Sequence, residues 1–263
     1  MRVGISTACF YPQPLEESLQ ILAGLGVHAI EIFFNTESEF SPRFYEGLGA
    51  EARSLGLEVV SVHPYTSLME GMLLFSDYAR RTEDGMLQYQ RYFECAAALG
   101  AQYLTFHGER DMGHADDPAR WERKCAAYRR LCALASACGV TLAQENVAWC
   151  RSHDPAFIHA LYRDVPELRY TLDIKQAYRA GHNWRDFLDA MGDRLVNVHI
   201  NDFSAEQSCL LPGDGTMDYA DFFSRLRSIG YNGHTMIEVY RNNFREPAEI
   251  ERALRVLGRY TTR

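Results

Sequence analysis

A short, nearly continuous run of β-branched and aromatic residues, a polar turn, and a longer stretch with apolar residues at helical spacing recur together eight times along the 263 residues. That rhythm constrains the fold more than any composition figure does. The runs fall at 3–7, 29–33, 58–63, 102–107, 141–145, 170–173, 195–200 and 235–239. The amphipathic stretches fall at 15–25, 43–55, 80–99, 117–137, 156–163, 184–191, 219–229 and 247–259. Strands that lack polar alternation are covered on both faces, as in parallel sheets. Gly26, Gly56, Gly100, Gly139 and Gly230 stand where helices would end. Strict strand–helix alternation over eight units predicts an α/β fold, a single (β/α)8 TIM barrel over residues 1–263. Such barrels use roughly 250 residues as one domain, and no shift in composition marks an internal boundary. The longest stretch outside the pattern is 65–84, and it reads as a loop or short helix over the barrel mouth.

Charge narrows the partners. Lys and Arg number 27 against 35 Asp and Glu, a net charge of −8, with no basic run to offset it. The chain repels phosphate backbones, so nucleic acid is disfavoured. No window reaches the ~20 apolar residues of a membrane helix, and the opening MRVGISTACF lacks the layout of a signal peptide. A cytoplasmic location with no membrane contact is expected. The seven Cys include no CxxC pair, and Cys125, Cys132 and Cys138 share one predicted helix, which points to reduced, half-buried thiols rather than disulfides or a zinc finger.

In a barrel of this kind the interior is filled by branched apolar side chains, so an ionisable residue at the end of a strand belongs to the top face, where chemistry is done. Strands three to eight end in His63, His107, Glu145, Asp173, His199 and Glu238, and Glu31 sits comparably on the second. Glu145, Asp173, His199 and Glu238 together make a hard, oxygen-rich set of three carboxylates and one imidazole. Buried carboxylates without a cation carry a large penalty, so the set suits a divalent ion such as Mn2+, Mg2+, Co2+ or Zn2+.

The chain resembles the sugar phosphate isomerase/epimerase family of xylose-isomerase-like barrels, which includes ketohexose epimerases, hydroxypyruvate isomerase, dehydratases and endonuclease IV. The resemblance runs from VGISTACF to MIEVY and is most specific at QENV (144–147), LDIKQA (172–177), VHINDF (198–203) and LPGDGTMDY (211–219). It implies that Glu145, Asp173, His199 and Glu238 bind one divalent metal, and that Glu145 and Glu238 are the proton-transferring pair. A metal that chelates a carbonyl and its neighbouring hydroxyl stabilises the enediolate left when the α-proton departs. Returning the proton to the other face gives epimerisation, and returning it to the adjacent carbon gives isomerisation. Loss of a β-hydroxyl instead makes a metal-dependent dehydratase the alternative, and a non-catalytic sugar-binding barrel is the reading without chemistry. Relatives are often dimers or tetramers, so the resemblance also implies a homo-oligomer.

Departures from the family sharpen this. Gln176 stands where ketohexose epimerases usually carry His, Arg151 where they often carry Glu, and Ala205 where they often carry Arg. Arg151 and Lys175 are cations near metal ligands, which favours a sugar phosphate or carboxylated sugar as substrate, and Gln176 can hydrogen-bond a substrate oxygen. An AP endonuclease like endonuclease IV would need a third zinc ion. Gln176 and the segment SAEQSCLLPGDG lack its ligands. His63 and His107 are read as substrate contacts, with a second metal on His63, His107 and Glu145 as the other use. Among weaker features, Gly213-Asp214-Gly215 reads as a tight turn, and Trp149 as a cap on the mouth or a stacking face for substrate. Phe10, Tyr11, Tyr65, Trp121 and Trp184 read as packing, and His28, His114, His153, His159, His182 and His234 as surface residues.

Overall fold

The computed structural model describes residues 1–113 and 117–261. Eight strands, β1 (Arg2–Ser6), β2 (Ala29–Phe33), β3 (Glu58–His63), β4 (Tyr103–Phe106), β5 (Thr141–Glu145), β6 (Arg169–Asp173), β7 (Leu195–Ile200) and β8 (His234–Ile237), close into a barrel in chain order. Every neighbouring pair is parallel, including β1 with β8. The helices are α1 (Leu15–Gly24), α2 (Pro42–Ser54), α3 (Glu70–Leu74), α4 (Ala79–Leu99), α5 (Pro118–Ala137), α6 (Pro155–Asp164), α7 (Ile174–Arg179), α8 (Trp184–Met191), α9 (Tyr219–Ser228) and α10 (Pro247–Thr261). None of the described helices is long and apolar enough to cross a membrane.

Local chemistry accounts for the helix ends. Proline occupies the first turn of α2, α5 and α6, where its missing N–H is no loss. Asp117, Asp154, Asn183 and Asp218 accept backbone N–H bonds at the starts of α5, α6, α8 and α9. Between strands and helices lies a continuous apolar shell that includes Leu19, Phe93, Leu131, Ile158, Phe187 and Phe222. Inside the barrel, Ala29, Val60 and Met236 form an apolar floor. Gly4 permits the closest approach there, since a Cβ would meet the Ala29 carbonyl oxygen at 2.5 Å.

Two helices fall outside the eightfold pattern. The segment 65–84 holds a short 3-10 turn at Tyr65–Leu68, then α3 and the start of α4. Directly after β6 comes α7, because the Asp173 carboxylate accepts the Gln176 N–H and starts a helix at once. His234, expected at the surface, is instead only 6% exposed. It opens β8 between Arg2 and Asn197, and Tyr231 donates a hydrogen bond to its carbonyl. His114 lies outside the described residues. The Gly213-Asp214-Gly215 turn is organised from beneath by the buried Asp202 carboxylate, which accepts N–H bonds from Gly213 and Met217, both at 3.0 Å. The described cysteines form no disulfide, and apart from the half-buried Cys138 they are buried rather than half-buried.

Candidate functional site

Side chains from six consecutive strand ends meet in one cluster. Nδ1 of His199 lies 2.9 Å from Glu145 Oε1, 2.6 Å from Glu238 Oε2 and 3.8 Å from Asp173 Oδ2. One donor atom from each of these four falls within 4.8 Å of the others. On the other side of Glu145, its Oε2 lies 2.7 Å from His107 Nε2 and 3.7 Å from His63 Nε2, a second convergent set. Glu145 is 1% exposed and belongs to both. His107 and Glu238 each stand one residue beyond the end of their strand.

These approaches are not all hydrogen bonds. Glu145 Oε2 and Glu238 Oε2 are buried and accept none, although imidazole nitrogens stand 2.7 and 2.6 Å away. Lone-pair atoms that crowd one point without aligning donor to acceptor fit a cation. His63 Nδ1 faces the Pro64 carbonyl at 3.1 Å, which turns Nε2 to the cluster.

Burial and neighbouring charge oppose each other throughout the cluster. Burial opposes ionisation of Glu145, yet His107 and His199 outweigh it and hold the carboxyl well below the usual range. Glu238 is likewise held low, against burial, by Lys175 and His199. At Asp173 burial wins and raises the pKa. His199 is pushed well above the ordinary imidazole value, against burial, by Glu31, Glu238 and Glu145. His63 is raised against burial by Glu145, whereas at His107 burial prevails and lowers it.

Lys175 is 3% exposed, with Nζ 2.6 Å from Asp173 Oδ2 and 3.5 Å from Glu238 Oε2. Gln176 bridges two loops, since its Oε1 accepts the Ala148 N–H at 3.2 Å. The guanidinium of Arg151 lies over the Phe157 ring, 5.5 Å from the centroid. Trp149 stands edge-on to His107 at 5.3 Å, and Phe33 packs on His63 at 4.5 Å.

Two contributors, Asn146 and Glu70, were not singled out from sequence, and a third, Glu31, was marked there only as an ionisable residue on its strand. Asn146 clamps Asp173 by accepting its N–H at 2.7 Å and donating to its carbonyl at 2.9 Å. Glu70, on α3, accepts the Gly108 N–H at 2.6 Å and a bond from Tyr89, which braces the loop carrying His107. Glu31 receives His199 Nε2 at 3.0 Å. Asn146 follows Glu145 in QENV and Glu31 is an ionisable residue inside a strand, so both left a trace in the sequence; Glu70 left none.

Residues 19–260 match the profile of the family described as Xylose isomerase-like TIM barrel. The chain belongs to that family. It is 26% identical over 288 residues to an uncharacterized protein of Mycobacterium tuberculosis (strain ATCC 25618 / H37Rv), covering 97% of this chain and 94% of that one. It is 25% identical over 262 residues to fructoselysine 3-epimerase of Shigella flexneri, covering 94% and 93%. The structure of D-psicose 3-epimerase with D-tagatose from Clostridium cellulolyticum H10 superposes with a TM-score of 0.82 over 99% of each chain at 18% identity, a likeness of fold.

Proposed function

We propose that this xylose isomerase-like barrel is a divalent-metal-dependent epimerase or isomerase that moves the proton α to the carbonyl of a small sugar-like substrate. The observation that carries the reading is the placement of Glu145 and Glu238, whose Oε2 atoms accept no hydrogen bond and flank the donor set shared with Asp173 and His199. Those four residues would hold the ion. When bound, it supplies Lewis acidity that lowers the energy of negative charge developing on a substrate oxygen. The likeness to fructoselysine 3-epimerase and to the D-psicose 3-epimerase fold supports the same class.

Each residue of the chain has a part that its contacts suit. Glu145, held below the usual carboxyl range by His107 and His199, and Glu238, held low by Lys175 and His199, take and return the proton from two sides. Asp173 is tied to Lys175 and the Gln176 N–H, which suits a ligand rather than a base. His63 and His107 orient substrate hydroxyls, and the Gln176 amide NH2 is left to donate after its oxygen is engaged by Ala148. Both cations that favoured an anionic substituent are engaged, Lys175 with Asp173 and Glu238 and Arg151 over Phe157. An uncharged sugar therefore suits this site better than a sugar phosphate.

The test is solvent exchange. The protein loaded with Mn2+ or Co2+ and incubated in D2O with a panel of ketoses is expected to place deuterium on the carbon next to the carbonyl, as read by NMR. A loaded protein that exchanges none of the panel, or one that binds no divalent ion, refutes the reading. Cleavage of abasic-site DNA without exchange would hand the site to a nuclease.

A further inference from the structure

Glu31 lies on β2, across the barrel from His199, and is fully buried. Its Oε2 accepts from four side chains on three strands: Ser61 Oγ at 2.7 Å, Thr105 Oγ1 at 3.3 Å, Asn197 Nδ2 at 3.4 Å and His199 Nε2 at 3.0 Å. Ser61, Thr105 and Asn197 are themselves fully buried on β3, β4 and β7, so the carboxylate has no freedom to swing. An ionised carboxylate only accepts, so Nε2 of His199 must carry a proton to face it. The other nitrogen, Nδ1, is the atom that points at Glu145, Asp173 and Glu238.

We propose that Glu31 is the positioning residue that selects Nδ1 of His199 as the metal-ligating atom, by holding Nε2–H from the opposite wall of the barrel. This rests on the metal part of the reading above, and on nothing about the substrate. A carboxylate on the far nitrogen fixes the tautomer, locks the ring plane and makes the ligating nitrogen more basic. Glu31 touches neither ion nor substrate in this arrangement. It acts through His199 alone.

Two measurements test it. In protein labelled with 15N-histidine and loaded with 113Cd2+, the metal–nitrogen splitting of His199 is expected on Nδ1, with Nε2 protonated and hydrogen-bonded. Splitting on Nε2 overturns the proposal while leaving metal binding intact. A protein that takes up no Cd2+ refutes the metal reading, and this proposal with it. The second measurement compares Co2+ affinity and the visible Co2+ absorption of Glu31→Gln and Glu31→Met. Gln keeps an acceptor oxygen and is expected to bind within about threefold of the parent with an unchanged spectrum. Met keeps the volume without an acceptor and is expected to lose roughly 10–100-fold in affinity and to shift the absorption bands. Parent-like affinity and spectrum in a folded Glu31→Met overturn the proposal. Should that variant fail to fold, the Cd2+ splitting decides alone.

Discussion

Glu70 offers a pH experiment whose size follows from its surroundings. Burial on α3 raises its pKa from the ordinary 4.5 to about 8, against the opposing pull of the Tyr89 hydroxyl and the Gly108 N–H. Between those two values the folded chain holds a proton that the unfolded chain has lost. Stability then falls as pH rises, by about 1.4 kcal/mol per unit for one proton. The contribution is fully present below pH 4.5 and is gone above about 8, a total of about 5 kcal/mol. Glu70→Gln mimics the protonated group, with Oε1 available to the Gly108 N–H and its NH2 to the Tyr89 oxygen. Urea titrations of both proteins at pH 5, 6, 7 and 8, with chelator present so that no ion contributes, isolate the effect in their difference. The variant is expected to gain on the parent by about 1.4 kcal/mol for each unit across this range. Two stability curves that run parallel from pH 5 to 8 would show that Glu70 is ionised throughout, and would sink the argument that burial outweighs its two donors.

The other predictions bear on the site itself. Glu238→Gln should retain circular dichroism and cooperative unfolding while solvent exchange into substrate falls by roughly 10²–10⁴, the usual contribution of a positioned base; exchange within tenfold of the parent would assign the proton to another group. A divalent ion at a hundred times its dissociation constant should stabilise the chain by about 2.7 kcal/mol, seen as a rise in Tm that EDTA reverses. A Tm indifferent to both would count against the metal centre. Gly108 adopts φ +83°, and an added Cβ would meet Gln144 Oε1 at 2.8 Å and Tyr128 Oη at 2.9 Å. Gly108→Ala should therefore cost about 2–5 kcal/mol from left-handed backbone and overpacking together, measured by urea titration, with a loss under about 1 kcal/mol contradicting the described loop.

Residue order along the chain was enough for the barrel. Each of the eight strand expectations overlaps a strand, and the 80–99 expectation differs from Ala79–Leu99 by one residue, because hydrophobic period is a local property that burial on one or both faces writes directly into the chain. Local chemistry also marked six ionisable strand ends, since charge is out of place in a packed interior. Which way those side chains turn is another matter. Lys175 and Arg151 looked alike as cations a few residues past Asp173 and Glu145, yet one is locked against Asp173 and the other lies over Phe157. The start of α7 on the Asp173 carboxylate, the brace from Glu70 to Gly108 and the reach of Glu31 to His199 depend on strand tilt, register and the path of each loop. Those quantities exist only once β1 pairs with β8, because until the barrel closes nothing brings residue 31 within 3.0 Å of residue 199.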